Sequence, residues 1–211
     1  AKSLRFRSSA SAYLNRTFAA GNRTTWTWSG WIKRGKLGAG GVLFQGYSSI
    51  GDRSAFQFNS SDQLFFNGIV GILTTAVFRD PAAWYHMVCV YDSTNATDSN
   101  RVILYVNGVR QTVTGTYPTV SQAEFINGAW LHYLSTGYSG AFEYTDGEMA
   151  EVNFVDGQAL AATSFGAFST YNQWLPIAYA GTYGTNGFYL PFTNTTSTST
   201  LVADSSGNAN N

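Results

Sequence analysis

The most evident deficit of this sequence is charge. Only 11% of its 211 residues are Asp, Glu, Lys or Arg, and the twelve basic side chains balance the twelve acidic ones. This is about half of the charged share of an average globular domain. Nucleic-acid binding relies on clustered Lys and Arg, and the densest basic cluster here, Lys33, Arg34 and Lys36, fits a solvent-exposed turn. We therefore expect no nucleic-acid partner.

The chain also lacks cysteine pairs and long apolar runs. Its one cysteine, Cys89, excludes an internal disulfide and a cysteine-rich metal site. It lies in the apolar segment 86–90, where we expect a buried thiol. No apolar run approaches the roughly 18 residues of a membrane-spanning helix, so we expect no membrane insertion. The two histidines both lie in strand-like segments, which disfavours a Ser-His-Asp triad.

Aromatic residues and short alternating segments dominate instead. Aromatic side chains make up 16% of the chain, and no stretch longer than about ten residues has the 3.6-residue period of a helix. In segments such as 25–33 and 101–106, apolar and polar residues alternate. These segments are short and are separated by Gly, Asn, Asp and Ser, as is typical of a sandwich or barrel. Asn107 and Gly108 predict a two-residue hairpin loop. The continuous apolar run 84–91 predicts a strand covered on both faces.

The same patterns define the domain organisation. They predict one all-β domain of antiparallel strands over residues 1–193, with at most one short helix near 158–168. Residues 194–211 contain little that could be buried. Their composition predicts a polar C-terminal tail or linker.

Three blocks of the sequence resemble laminin-G-like domains with a concanavalin A-like fold. TWTWSGWIK at 25–33 resembles their opening strands, and WYHMV at 84–88 followed by LYVNG at 104–108 resembles their central strand and hairpin. GEMAEVNF at 147–154 resembles the penultimate strand of pentraxin-type members. The resemblance covers most of the chain before the tail. It implies a two-sheet antiparallel jelly-roll sandwich, of which the loops or the concave face can bind glycans.

The detailed sequences of two segments resemble those of virion proteins of tailed bacteriophages. These segments are AEVNFVDGQAL at 150–160 and NGFYLPF at 186–192. The resemblance implies a fibre, spike or decoration module on the virion surface, exposed to the extracellular medium. Its expected partners are other virion proteins and glycans of the host cell surface. We also expect a homo-oligomer, with a trimer favoured because trimers are common in fibres.

The carboxylates of the last long strand help to decide whether the domain hydrolyses glycans or only binds them. Hydrolases of the resembled fold carry two or three carboxylates on one strand face, one to attack and one to donate a proton. Glu148 and Glu151 are three residues apart, so an unbulged strand would point them to opposite faces. Ala150 stands where an acidic partner of Glu148 would be required, and it would share one apolar face with Val152 and Phe154. We therefore expect no enzymatic activity.

Glycan binding depends on flat aromatic side chains beside hydrogen-bonding groups. Thirteen tyrosines on a chain with so little charge favour a recognition or assembly surface. Core packing or a subunit contact would explain any one of them equally well. The candidate sugar-binding residues are the tyrosines in loops rich in Gly, Ser and Thr, namely Tyr47, Tyr117, Tyr138, Tyr144 and Tyr171.

No cofactor is required by any motif, and Ca²⁺ is the one candidate ion. Asp92, Asn95 and Asp98 supply oxygen ligands of the type that Ca²⁺ prefers, in a loop comparable to those that bind Ca²⁺ in many laminin-G-like domains. Short loops of this kind are more often turns held by their own side chains.

The two histidines have different expected environments. We expect His86 to be a core or interface imidazole with its hydrogen bonds satisfied, whereas His132 could line a surface groove.

The sequence thus leads to a non-catalytic, glycan-binding module of a phage particle. Two alternatives remain open. One is a purely structural capsid or tail decoration protein that binds no sugar, and the other is a degenerate glycan hydrolase.

Overall fold

Two packed antiparallel sheets form the protein. The computed structural model describes residues 2–49, 51–137, 140 and 142–211. The strands within these residues, numbered in chain order, are β1 (Leu4–Phe6), β2 (Leu14–Thr17), β3 (Thr25–Arg34), β4 (Gly41–Ser49), β5 (Asp52–Phe58), β6 (Gln63–Asn67), β7 (Gly71–Val77), β8 (Trp84–Asp92), β9 (Val102–Val106), β10 (Val109–Arg110), β11 (Val113–Gly115), β12 (Leu131–Leu134), β13 (Gly147–Asp156), β14 (Gly166–Phe168), β15 (Trp174–Pro176) and β16 (Phe188–Leu190).

The strands are arranged as a sandwich with a small accessory hairpin. The first sheet has the order β1-β13-β3-β8-β9-β10, with β16 also pairing β13. The second sheet has the order β11-β7-β6-β5-β4-β12-β2, and β14 pairs β15 in a separate two-stranded sheet. The predicted all-β, two-sheet antiparallel jelly-roll sandwich is confirmed.

The space between the two sheets is filled mainly by aromatic rings. Inward-facing residues of β3 and β8 meet there because strand side chains alternate between faces. Trp26 stacks on Tyr91 with ring centroids 5.4 Å apart, and Trp28 meets the edge of Phe56 at 5.3 Å. Cys89 is buried in the same core, as predicted.

Strand β8 is covered on both of its faces, which confirms the prediction from its continuous apolar sequence. Met87 faces the main core, whereas Val88 and Val90 belong to a second cluster on the outer side of the first sheet. Phe165 and other residues of the segment 157–186 complete this outer cluster. The segment therefore lies across the outer face of the first sheet.

The hairpin at Asn107 and Gly108 is also confirmed. The two residues connect β9 and β10 and have positive φ angles of 49° and 80°. A two-residue loop needs positive φ at both positions to match the twist of its strands, which is why Asn-Gly is favoured there.

The basic cluster at 33–36 differs from the predicted exposed turn. Arg34 and Asp62 form a buried ion pair with 2.9 Å between Nη2 and Oδ1, and Arg79 Nε donates to the second carboxylate oxygen at 2.9 Å. Burial alone would raise the pKa of Asp62, but hydrogen bonds from the Gly38 N–H, Arg79 and Arg34 outweigh it and lower the pKa to about 2. A paired charge can thus be buried where a free one could not.

The short helix predicted near 158–168 is present as a single 3₁₀ turn. The turn spans Ala162–Ser164 and is followed by β14, and Ala162 and Phe165 both pack in the outer cluster. The α-helix α1 lies at Thr198–Leu201, where Ser197 and Thr200 form a capping box. Among the described residues, no helix has the length and apolar character needed to cross a membrane.

Residues 194–211, for which the composition predicts a tail or linker, pack against the sandwich. Leu201 and Val202 contact the main core. The Tyr189 N–H donates to Asp204 Oδ1 at 2.8 Å, and Asn210 Nδ2 donates to a backbone carbonyl oxygen of the loop before β16 at 2.8 Å. These hydrogen bonds hold the segment against β16 of the first sheet.

Candidate functional site

The outer face of the second sheet carries tyrosines and an amide at neighbouring positions. Phe44, Phe56 and Leu134 point into the main core. Side chains alternate along a strand, so Gln45 on β4 and Tyr133 on β12 point to the outer face. The same alternation places Tyr47 and Arg53 outside.

The pairing of the strands brings these side chains together. Tyr133 lies opposite Gln45, and Tyr47 lies opposite Arg53. Tyr13, just before the edge strand β2, contributes a ring with its centroid 5.9 Å from that of Tyr133. We call Tyr13, Tyr47, Tyr133, Gln45 and Arg53 the tyrosine face.

Hydrogen-bonding groups of both charges border the rings. Arg53 Nη1 lies 3.4 Å from Gln45 Oε1 and 3.5 Å from Glu143 Oε2. The Glu143 side chain is 31% exposed, and Tyr13 is 41% exposed. Burial, with the neighbouring phenols of Tyr13 and Tyr47, raises the pKa of the Tyr133 hydroxyl above its ordinary value. Tyr13 and the bordering Glu143 are thus accessible to a ligand, whereas Gln45 and Tyr133 are buried.

A cavity of about 270 Å³ adjoins the tyrosine face at the edge strand β2. Tyr13 and Tyr133 contribute to its wall, and Phe44 and Phe188 form much of its apolar floor. The last two residues of the chain border it on the other side. Its size is close to the lower limit of small-molecule sites. Because Phe44, Leu134 and Phe188 belong to the main core, the cavity lies between the two sheets beside β2 and not on the outer face.

His132 lines this cavity, in agreement with the predicted groove position, but its ring is fully engaged. Nδ1 lies 3.0 Å from the Trp130 carbonyl oxygen, and Nε2 accepts a hydrogen bond from the Asn127 N–H at 2.9 Å. The ring stacks on Phe18 with centroids 3.8 Å apart. Burial lowers the pKa of His132 to about 3. A neutral imidazole held in this way supports the fold rather than proton transfer.

His86 is a satisfied buried imidazole, as predicted. Trp174 Nε1 donates to its Nδ1 at 2.9 Å, so the proton is on Nε2, which lies 2.8 Å from Ser29 Oγ. Burial lowers the pKa of His86 to about 3. The residue thereby connects β8 to the segment that covers the first sheet.

The five candidate tyrosines are spread over the molecule. Tyr47 lies on the tyrosine face. Tyr117 is half-buried against the main core, and Tyr144 is half-buried with its hydroxyl donating to a carbonyl of its own loop. Tyr171 is 85% exposed at the turn between β14 and β15, on the other side of the sandwich. Tyr138 lies outside the described residues.

Tyr13 and Tyr133 belong to the face but were not among the sequence candidates. Tyr133 lies inside an alternating strand, whereas the candidates were chosen from loops. Its outward position follows from Leu134 facing the core, so strand alternation was the available signal. The proximity of Tyr13 depends on the pairing of β2 with β12, which no local pattern indicates.

The oxygens of the candidate calcium loop are used by the loop itself. Asp92 Oδ1 accepts hydrogen bonds from the N–H and hydroxyl of Thr94, at 3.2 and 2.6 Å. Asn95 Oδ1 accepts from the Thr97 N–H at 3.0 Å, and Asp98 Oδ1 from the next N–H at 2.6 Å. Across the residues the structure describes, no group of three His, Cys, Asp or Glu side chains could hold a metal ion. The loop has the character of self-capped turns.

A β-bulge changes the predicted register of β13. The pairing with β3 shifts between Ala150 and Asn153, and Glu151 has a φ of 51°. One extra residue reverses the alternation, so Met149 joins Val152 in the main core and Ala150 turns outward. The predicted apolar face containing Ala150 is therefore wrong.

The bulge also overturns the predicted separation of the carboxylates. Glu151 accepts a hydrogen bond from the hydroxyl of Tyr189, which packs against the outer cluster, so Glu148 and Glu151 lie on the same side of the first sheet. Their partners nevertheless differ, since Glu148 Oε2 accepts from Ser3 Oγ at 2.8 Å. Neither carboxylate lines the 270 Å³ cavity. The buried Asp156 is held by Asn127 Nδ2 at 2.5 Å.

Comparison with protein families gives a match over most of the chain. A family model described as the concanavalin A-like lectin/glucanases superfamily matches residues 7–164. No curated protein sequence matches the chain significantly.

Several solved structures share the fold at low sequence identity. A Bacteroides ovatus protein to which carbohydrate binding is ascribed is 15% identical, with a TM-score of 0.63 over 93% of this chain and 54% of its own. A heptameric SAP-like pentraxin from Limulus polyphemus is 16% identical, with a TM-score of 0.51 over 71% of each chain. Tailspike protein 2 of an Escherichia coli O157:H7 bacteriophage is 12% identical, with a TM-score of 0.50 over 76% of this chain and 23% of its own. The chain therefore spans about half of the Bacteroides protein.

Proposed function

The chain belongs to the concanavalin A-like lectin/glucanase superfamily, and from this premise we propose that it binds glycans without cleaving them, through the tyrosine face. The observation that carries the proposal is the convergence of three tyrosine rings with an amide and a guanidinium on one sheet face. Carbohydrate binding is also ascribed to the Bacteroides ovatus protein of the same fold.

The chemistry of the face suits a sugar ring. The C–H face of a pyranose packs on an exposed aromatic ring such as Tyr13, and its hydroxyls can exchange hydrogen bonds with Glu143, whose side chain is 31% exposed. A few convergent polar groups on an apolar floor fix the orientation of a ligand.

The absence of cleavage is part of the proposal. Hydrolysis requires two carboxylates placed on either side of one glycosidic bond. Glu148 and Glu151 bind different neighbours, Ser3 and Tyr189, and Glu143 is paired with Arg53 on the tyrosine face. These carboxylates thus serve as hydrogen-bond and ion-pair partners within the protein.

We further propose that this module acts on the surface of a bacteriophage particle, as an adhesion or decoration domain among other virion proteins. The resemblance of residues 150–160 and 186–192 to phage virion proteins supports this proposal. The fold shared with a phage tailspike is consistent with it. Multiple copies would strengthen individually weak sugar contacts by avidity. Labelling of intact particles with an antibody to this domain tests the location, and particles without label would contradict it.

The glycan proposal is tested by binding measurements on a multivalent form of the domain. A glycan array and a titration with host lipopolysaccharide should show binding to the wild type. Tyr13→Ala should weaken the affinity about tenfold, because it removes one stacking surface worth about 1.4 kcal/mol. The matched control is Tyr171→Ala, which removes an exposed tyrosine from the opposite side and should leave glycan affinity unchanged.

Two outcomes would replace the proposal by its alternatives. A multivalent wild type that binds no glycan would favour a purely structural decoration protein. Release of reducing ends from a polysaccharide would indicate a degenerate hydrolase, and Glu148→Gln should then abolish that activity. Equal weakening by Tyr13→Ala and Tyr171→Ala would remove the tyrosine face as the site.

A further inference from the structure

The cavity beside β2 is large enough to hold a small organic molecule. Its volume is about 270 Å³. A cavity of about 150 Å³ lined by aliphatic and aromatic side chains already holds one benzene ring. The space between the sheets at this edge therefore suits a flat body of one or two fused rings. We call it the edge cavity.

The wall of the edge cavity is chiefly apolar. It includes apolar side chains of both sheets and of the C-terminal segment, namely Phe44, Leu134, Phe188, Leu190 and Val202. Apolar ligand surface buried against such side chains gains about 25 cal/mol per Å². His132 is neutral because burial lowers its pKa to about 3, so its ring adds no charge to the wall.

Arg16 brings a positive charge to this wall. It lies opposite His132 in the pairing of β2 with β12, and strand alternation places it on the inner side with Leu14, which packs against the main core. Nη1 donates to the Asn210 carbonyl oxygen at 3.1 Å, and the guanidinium carbon lies 4.8 Å from the centroid of the Phe18 ring. These contacts orient the guanidinium and leave N–H groups for a further acceptor.

The charge of Arg16 has no direct partner. Within the part of the chain that the structure describes, no carboxylate oxygen lies within 4.0 Å of its guanidinium nitrogens. Burial lowers the pKa of Arg16, and the neighbouring charge of Asp204 opposes this effect. The Asp204 carboxylate itself accepts hydrogen bonds from the N–H groups of Tyr189 and Asn210, at 2.8 and 2.9 Å. A half-buried guanidinium thus remains for an incoming anion.

We propose that the edge cavity binds a small aromatic carboxylate, with its ring between the sheets and its carboxylate on Arg16. The planar guanidinium matches a carboxylate in shape and charge, whereas a neutral group of the same size gains only ordinary hydrogen bonds. The inference does not depend on the proposed glycan binding, since Arg16 faces the inner side of the second sheet. Tyr13 and Tyr133 border both surfaces, so the test variants lie elsewhere.

Titration calorimetry of the 211-residue chain with 2-naphthoate and with its neutral amide, 2-naphthamide, tests the proposal. The wild type should bind the carboxylate at least about tenfold more tightly than the amide. Arg16→Gln should bring the two affinities to the same value, and Arg16→Lys should keep part of the preference because it retains the charge without the planar fork. Arg7→Gln is the matched control, since Arg7 is exposed and does not line the cavity, and it should behave like the wild type.

The location of the ligand is tested separately. In the wild type, the methyl NMR signals of Leu190 and Val202 should shift on addition of 2-naphthoate, which requires no substitution. Val202→Phe should fill part of the cavity and weaken the binding of both compounds at least about tenfold, because overpacking is unfavourable. A circular dichroism spectrum like that of the wild type confirms that each variant is folded.

Three results would each overturn the proposal. These are no binding of 2-naphthoate by the wild type, equal affinity of the wild type for the carboxylate and the amide, and a preference for the carboxylate that survives Arg16→Gln. Glycan binding by Arg16→Gln should equal that of the wild type. Failure of the edge cavity as a site is therefore distinguishable from failure of the tyrosine face.

Discussion

At the scale of single residues, the two buried histidines should make the stability depend on pH. Burial lowers the pKa of both His86 and His132 to about 3. In the unfolded chain a histidine has a pKa of about 6.5. Below about pH 6.5, these histidines bind protons in the unfolded state but not in the folded state. The free energy of unfolding therefore decreases as the pH falls towards the folded pKa.

We expect a loss of about 2 kcal/mol per histidine between about pH 7.5 and about pH 5. Urea unfolding at the two pH values measures it. His86→Gln serves as the control, since it should remove about half of the pH-dependent loss whatever its effect at neutral pH. Equal stability at both pH values would show that the imidazoles are accessible to protons.

The burial of a residue could be predicted where the sequence of its own strand decides it. The proximity of residues on different strands could not be predicted, because it depends on how the strands pair. The apolar run around Cys89 was sufficient to predict its burial, and the same run placed His86 correctly. The tyrosine face required knowledge that β12 pairs both β2 and β4, which brings Tyr13 and Tyr133 together. Sequence distance between these rings is more than a hundred residues, so no local signal links them.

At the scale of elements, the turn between β9 and β10 also supports the hairpin of β14 and β15. Gly108 has a φ of 80°, and a Cβ added there would lie 2.5 Å from the Trp174 ring. Gly108→Ala should therefore cost about 1 kcal/mol for the backbone and about 1–3 kcal/mol more for displacing the ring. Thermal and chemical unfolding measure the total cost.

Gly38→Ala is the matched control for this turn. Gly38 has a φ of 65°, but nothing lies within 4 Å of its added Cβ, so only the backbone cost remains. Equal destabilisation by the two substitutions would mean that Trp174 does not rest on this turn.

Elements with a strong local signal matched their prediction, and irregular ones did not. Asn107 and Gly108 gave an unambiguous turn because positive φ is restricted to few residue types. The bulge at Glu151 had no such signal, since Glu is an unusual residue at positive φ, and the simple alternation rule then assigned the wrong faces to Met149 and Ala150. The short helix predicted near 158–168 is a single 3₁₀ turn, and the composition did not indicate the strand β14 that follows it.

At the scale of the whole molecule, the C-terminal segment should contribute to stability. Ending the chain after residue 193 removes the contacts of Leu201 and Val202 with the main core and the hydrogen bond of Asp204. We expect the free energy of unfolding to fall by about 3 kcal/mol, from roughly 1 kcal/mol for each contribution. Urea unfolding of the shortened chain measures the loss.

Substitution of Leu201 and Val202 by alanine in the intact chain provides the comparison, and it should reproduce the apolar share of that loss. An unchanged stability of the shortened chain would show that the segment does not contribute to the free energy of unfolding. The composition of 194–211 could not indicate this packing, because the stabilising contacts come from two apolar residues and a few amides within an otherwise polar stretch.

Asn210 and Asn211 border the cavity beside β2. Cys89 is buried, so a cysteine introduced at residue 211 would be the thiol that a maleimide dye reaches. A dye attached there would lie at the border of the cavity, and its fluorescence would report the entry of a small molecule as it happens.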